Sequence, residues 1–472
     1  MPAADSSGPA EPWLHAESAM ISVSFFTLGC KLNQLESESI AAACTEAGCT
    51  LLPWGSGAHI NIINTCTVTS KAEQKARRVI RKILKENPAS RVIVTGCYAQ
   101  LDGASIRSLA DERLLVIPGG RKSILLDLPA YIRDWGNSPD KLSLILNDWL
   151  ASSLEPPRED AFRFNAEDFS FHSRASLKIQ DGCSNACAYC RVRLARGGSI
   201  SLDAGEALRR LRILEERGYA EAVLTGININ QYRSGGLLLP GLIEYLIGNT
   251  ERIALRISST EINGVTPDFI RAIAHPRVQP HFHLSVQSGN GDVLRRMRRS
   301  YGPEDIRRTA EQIRAVKDDP FIACDIICGF PGEGEAEFRD TYELCEELDF
   351  SWIHAFPYSP RPGTEAYEFT DSVPEKTASE RVSRLIALGS KGRKDYIRRS
   401  AGRVTGAIIE KGASPGPNQC SGITDNYLRV LLATDESPPP GGTRVLCRIA
   451  GPWKGAAGGA GDRIDARAVL LP

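Results

Sequence analysis

The stretch Leu177-Lys178-Ile179-Gln180-Asp181-Gly182-Cys183-Ser184-Asn185-Ala186-Cys187-Ala188-Tyr189-Cys190 runs from a short apolar segment, which reads as a β-strand, into three cysteines at C-x3-C-x2-C spacing. Three thiolates on one loop can hold three irons of a cubane cluster and leave the fourth iron open to a reactant. A cluster used only for structure or electron transfer usually has four cysteines. A zinc knuckle and buried free cysteines are the competing readings. Zinc sites favour paired C-x2-C elements closed by four ligands, and the chain has no second C-x2-C pair and no H-x3-H partner. The spacing therefore favours iron–sulfur.

Around this loop the chain alternates strands and helices from about Phe169 to Arg399. Expected strands are Ala175–Gln180, Ala220–Leu224, Ala254–Ser258, His281–Val286, Phe321–Cys328 and Trp352–Phe356. A helix is expected over Asp203–Arg217, with Asp203 and Glu206 at its start and Gly218 as its cap. Six β/α repeats suggest an incomplete barrel, and chemistry in barrels gathers at the carboxyl ends of the strands, where the cysteine loop lies.

A second alternating region spans about Met20 to Asp127, with strands at Ile21–Leu28, His59–Asn64 and Arg91–Thr95, which argues for a parallel sheet. Ser70 with Glu73 forms a capping-box signature for a helix that Pro88 stops. Cys30, Cys66 and Cys97 each follow one of the three strands, so they converge on one sheet edge as a second three-thiolate site. The bland reading is that small cysteines fill strand ends as weak hydrophobes. Cys44, Cys49, Cys324, Cys328, Cys345, Cys420 and Cys447 are read that way, as packing.

From Ala401 the runs Val404–Ile409, Tyr427–Leu432 and Thr443–Ile449 alternate with Gly- and Pro-rich turns, the pattern of a small all-β barrel. The fold class is thus α/β: an N-terminal parallel-sheet domain (20–135), a connector (136–168), a partial (β/α)6 barrel (169–399) and a C-terminal β domain (400–472). Residues 1–19 read as a disordered extension without the marks of a secretory signal, and Met20 is a second candidate start. The 472 residues carry 57 basic and 57 acidic side chains, so an anionic partner must meet a local patch. Thirteen cysteines suit a reducing cytoplasm, and no apolar run approaches the ~20 residues of a membrane span.

The loop Gly182 to Cys190, with its aromatic residue before the last cysteine, resembles the radical S-adenosylmethionine (SAM) signature. Together with Thr27-Leu28-Gly29-Cys30-Lys31-Leu32-Asn33-Gln34, Asn64-Thr65-Cys66-Thr67-Val68-Thr69 and Thr95-Gly96-Cys97 it resembles the methylthiotransferases. Ser258-Ser259-Thr260-Glu261, His283 to Gly289 and Gly329-Phe330-Pro331-Gly332-Glu333 extend the match. Lys31 and the run Thr67 to Thr69 are most similar to the subgroup that modifies N6-threonylcarbamoyladenosine in tRNA.

The resemblance implies two 4Fe–4S clusters, one on Cys183, Cys187 and Cys190 and one on Cys30, Cys66 and Cys97. SAM would chelate the open iron of the first, and its reductive cleavage would give a 5′-deoxyadenosyl radical that attacks C2 of the adenine. The second cluster would present the sulfur. Tyr189, Thr225, Gly226, Ser258, Glu261 and Gln287 would lie around SAM. The C-terminal domain would be a TRAM-like RNA-binding barrel. The partners would be SAM, the tRNA anticodon stem-loop modified at position 37 and an unidentified electron donor, with no membrane.

Two basic groups could meet RNA or simply be solvated: Lys71, Lys75, Arg77, Arg78, Arg81 and Lys82, and Arg295, Arg296, Arg298 and Arg299. Two departures from the family stand after the cysteine loop: Arg193 replaces a common proline, and Ala195-Arg196-Gly197-Gly198-Ser199-Ile200-Ser201 lacks a further arginine, which could alter binding of SAM or RNA. Isopentenyladenosine in tRNA and a ribosomal-protein aspartate are the alternative substrates. A noncatalytic RNA-binding protein with structural metal sites is the reading from another class.

Overall fold

The computed structural model describes residues 20–109, 112–136, 138–152, 161–412, 416, 418–434, 437–453 and 464–471. The extension 1–19 lies outside the described residues.

The N-terminal region is a five-stranded, all-parallel sheet in the order β2-β1-β3-β4-β5. Its strands are β1 (Ser22–Thr27), β2 (Thr50–Leu51), β3 (Ile60–Thr65), β4 (Arg91–Gly96) and β5 (Leu114–Val116). Helices α1 (Lys31–Glu46), α2 (Ser70–Glu86) and α3 (Cys97–Arg107) follow the three long strands. Ile62 and Ile93 point to one apolar core, Ile63, Val92 and Val94 to the other, as β-branched runs buried on both faces must.

Further along, α4 (Leu128–Asp134) and α5 (Leu142–Ser152) bury Leu128, Ile132, Leu142, Ile145, Leu146 and Trp149 in the first of these cores. The amphipathic piece of the expected connector therefore packs against the N-terminal sheet.

The central region has all six expected strands, arranged as an open barrel in two parallel segments. Ala254–Ile257, Glu221–Thr225 and Ala175–Lys178 form one. Ser259–Thr260, His281–Gln287, Phe321–Cys328 and Trp352–Pro357 form the other. Ser258 is the break: the third strand leaves one segment and re-enters the other beside His283 and Leu284. The helix Ala204–Glu216 is capped by Asp203, whose carboxylate accepts from the Glu206 amide. Gly218 follows at φ +84°.

The C-terminal barrel is closed by five strands, Val404–Ile409, Gln419–Thr424, Arg429–Ala433, Arg444–Pro452 and Ala466–Leu470. Two of these, Gln419–Thr424 and Ala466–Leu470, were not expected from the sequence. It packs its Leu428, Val430 and Cys447 in one cluster with Phe321 and Ala323 of the open barrel. Cys44, Cys49, Cys324, Cys328, Cys345, Cys420 and Cys447 are all buried.

Candidate functional site

The loop after Ala175–Lys178 brings Cys183, Cys187 and Cys190 together, half-buried, close enough for the thiols to interact electrostatically. Backbone amides already turn toward the sulfurs: Asn185 N–H to Cys183 Sγ at 3.4 Å and Val192 N–H to Cys190 Sγ at 3.5 Å. Gly182 holds the entry to the loop at φ +66°, and a Cβ there would lie 2.0 Å from the Gly198 carbonyl oxygen. No residue but glycine fits.

Gln180 fastens this loop to the next strand end. Its amide nitrogen donates to the Asp181 and Gly182 carbonyls and to Ser199 Oγ. Its Oε1 accepts from the Ile227 and Asn228 amides. Its motif position gave no hint of this role.

The residues expected around SAM line the same end of the barrel. Thr225 is buried with an unpartnered hydroxyl. At Gly226 a Cβ would come 2.7 Å from Gln180 Oε1, so this strand end must approach closely. Ser258 sits half-buried at the strand break, and Gln287 is buried at φ +69°, where the ladder to the next strand shifts register. Tyr189 packs edge-on against Phe330 and lies under the Arg299 guanidinium. Glu261 pairs with Arg299 at 2.6 Å.

That pair belongs to the second basic group. Arg299 is buried against Glu261, and its neighbours are also matched: Arg295 with Asp292 at 2.6 Å, Arg296 with Asp371 at 2.7 Å and Arg298 with Glu365 at 2.7 Å. Each arginine of this group therefore has a carboxylate partner. On α2, by contrast, Lys71, Lys75, Arg78 and Arg81 are exposed and have no ion-pair partner among the described residues, while Arg77 donates to the Tyr98 hydroxyl.

Cys30, Cys66 and Cys97 also converge, at the carboxyl edge of the N-terminal sheet. Cys30 is exposed, Cys66 buried and Cys97 between, and Cys66 feels both of the others. Asn33 of α1 ties this edge down, donating to the Leu28 and Thr65 carbonyls at 2.7 and 3.1 Å. The Val68 amide turns to Cys66 Sγ at 3.4 Å.

The two thiol sites are joined by arginines that follow Cys190. Arg191 reaches Glu73 of α2 and Asp102 of α3 at 3.5 and 3.2 Å. Arg196 donates to Asn33 Oδ1, Glu36 and Asp181, and Lys122 and Lys178 complete a buried network. Burial opposes ionisation of Glu36, but Arg196, Lys122 and Lys178 overcome it and hold the carboxyl far below the usual range. A second clamp sits beside Cys66: Arg361 pairs with Glu73 and donates to Thr67 Oγ1. Ser70 is not the cap of α2. Thr69 accepts from the Ala72 amide, and Ser70 Oγ instead meets Ser359 Oγ at 2.8 Å.

The donor sets suit iron–sulfur clusters. All thirteen cysteines are free thiols. Burial pushes Cys190 up to about 12 and Cys66 to about 11, so in these pockets iron is what would stabilise the thiolates. Among the described residues, no three His, Cys, Asp or Glu side chains close on a single ion.

Residues 177–345 match the Radical SAM superfamily and residues 22–117 match Uncharacterized protein family UPF0004. The chain is 42% identical to "Threonylcarbamoyladenosine tRNA methylthiotransferase MtaB" of Treponema pallidum (strain Nichols), over 88% of this chain and 95% of that protein. It belongs to the radical SAM tRNA methylthiotransferase family.

The same-named protein of Bacillus subtilis (strain 168) is 35% identical, over 88% and 91% of the two chains. A "tRNA-2-methylthio-N(6)-dimethylallyladenosine synthase" of Cereibacter sphaeroides (strain ATCC 17025 / ATH 2.4.3) is 32% identical, over 90% and 95%. In fold, the chain is similar to the radical SAM methyltransferase TsrM of Kitasatospora setae, with TM-score 0.51 at 13% identity over 74% of this chain and 77% of that one. Methylthiotransferases use two 4Fe–4S clusters and SAM, the cofactors that the resemblance implies. Among the described residues no helix is long and apolar enough to cross a membrane.

Proposed function

We propose that this methylthiotransferase converts N6-threonylcarbamoyladenosine at position 37 of tRNA to its 2-methylthio derivative in the cytoplasm. The observation that carries the reading is the pairing of two three-cysteine sites on adjoining parallel sheets, joined through Arg191 and Arg196. The threonylcarbamoyl substrate rests on the names of the relatives at 42% and 35% identity.

Cys183, Cys187 and Cys190 would hold the cluster that supplies an electron for SAM cleavage, and Cys30, Cys66 and Cys97 the one that supplies sulfur. The protein's own part is positioning. Gln180 fixes the first loop against the strand end at Thr225-Gly226, where the free Thr225 hydroxyl can meet SAM. Tyr189, Ser258, Glu261 and Gln287 would complete that wall, with Glu261 held by Arg299. The clamp of Arg361 on Glu73 and Thr67 closes the junction beside Cys66, and a closed junction keeps water from reactive species.

The anticodon stem-loop is the expected RNA, because an unstacked loop base can enter an enclosed site. The exposed cations of α2 would meet its phosphates. Nucleoside mass spectrometry of tRNA from cells lacking this protein tests the reading. The 2-methylthio nucleoside should vanish and N6-threonylcarbamoyladenosine accumulate; unchanged levels, with no redundant enzyme present, would refute it.

A further inference from the structure

Four neighbouring strands of the open barrel each place one polar side chain in a single row. In register, Ser259 stands opposite His283, and Asp325 opposite His354. Ser259 Oγ lies 2.8 Å from His283 Nδ1, and His283 Nε2 lies 3.2 Å from Asp325 Oδ1 without the alignment of a hydrogen bond. Apart from that contact, Asp325 has no partner among the described residues. None of these groups serves either cysteine site.

At the end of the row, the last strand alternates Trp352, His354 and Phe356 on one face. The His354 and Phe356 rings are 6.4 Å apart with planes 9° from parallel, and Phe356 is 42% exposed. The Trp352 indole N–H donates to His354 Nδ1 at 3.3 Å, which leaves the imidazole proton on Nε2. Burial, then His283, lowers the His354 pKa, which favours the neutral ring. The row adjoins the first thiol loop, because the buried Tyr301 hydroxyl lies in the field of both Asp325 and Cys187.

An aromatic face beside one N–H donor and a carboxylate whose Oδ2 has no partner among the described residues suits a planar base whose substituent presents a carbonyl next to an N–H. We infer that His354 and Asp325 recognise the urea-like carbamoyl group on N6 of the target adenine, with Phe356 stacking the base. The inference rests on the substrate reading above and deepens it to specificity. A dimethylallyl group offers only apolar surface and would leave the His354 donor and Asp325 Oδ2 without partners. A site built on hydrogen bonds rejects such an analogue far more strongly than an apolar pocket rejects a polar one.

The test is fluorescence anisotropy of the full-length holoenzyme with three stem-loop RNAs that differ at one loop base: threonylcarbamoyladenosine, dimethylallyladenosine or adenosine. His354→Phe and Asp325→Asn should each weaken binding of the threonylcarbamoyl RNA about tenfold, the scale of one lost buried hydrogen bond. Binding of the other two should stay within about twofold, which also reports an intact fold. Equal losses on all three RNAs, or no loss on the first, would overturn the inference while leaving the substrate reading in place. A wild-type protein that prefers the dimethylallyl RNA would overturn both.

Discussion

Glu36→Gln removes one carboxylate from a buried site that holds three cations, Lys122, Lys178 and Arg196, against two anions, Glu36 and Asp181. The Glu36 side chain is 3% exposed and Lys122 likewise, so solvent cannot screen the change. Gln keeps one acceptor but turns an amide N–H2 toward an ammonium or guanidinium. Breaking a buried ion pair from one side costs about 3–5 kcal/mol. Because Glu36 lies on α1 while Lys178, Asp181 and Arg196 belong to the barrel, the loss falls on the docking of the two regions. At about 1.4 kcal/mol per factor of ten, 3 kcal/mol is about a hundredfold in the opening equilibrium. Amide hydrogen exchange over α1 and Ala175–Asp181 reads this directly, without assuming two-state unfolding of a multidomain chain. Expected is a fall in protection of about a hundredfold, partly recovered by adding Lys122→Met. Protection within about threefold of wild type would show that the network does not hold the regions together.

The same network sets an acid limit. Glu36 and Asp181 are buried, which opposes ionisation, yet Arg196, Lys122 and Lys178 depress Glu36, and Arg196 and Lys178 depress Asp181. Their contribution is therefore complete above the unfolded carboxylate pKa of about 4 and is lost as pH falls toward the folded values; amide exchange over α1 in an acid titration should report loosening only below about pH 4. Lys31 at the first residue of α1, then Arg174 and Arg256, lower Tyr427 to about 8. Lys31→Met should return tyrosinate formation toward about 10, and an unmoved absorbance titration would deny the contact. Replacing Cys183, Cys187 and Cys190 together by alanine should halve the iron and sulfide of anaerobically reconstituted protein and abolish SAM cleavage. Retained cleavage would put the radical cluster elsewhere.

Much of this architecture was legible because it depends on local pattern. Runs such as Ile60 to Ile63 and Val92 to Val94 can satisfy their apolar side chains only between two packed faces, and a cysteine after each strand must fall on one edge. What stayed hidden depends on partners distant in sequence. Ser70 reads as a cap until Ser359 takes its hydroxyl and Arg361 takes Glu73. Arg296 and Arg298 read as unpaired charges until Asp371 and Glu365 pair with them. The break at Ser258 follows from which neighbour each half of a strand finds, and no periodicity encodes that. The strand Gln419–Thr424, with Gly422 inside it, lacks the unbroken apolar alternation that marks its neighbours.

Arg191 and Arg196 issue from the same short piece of backbone that carries Cys190, and both end on the helices that carry the other three thiols' surroundings. The offset between the two sulfur centres is thus measured out by a few covalently linked residues. A loop that lost its shape at one centre would pull its own tethers away from the other, so damage at either should be felt by both.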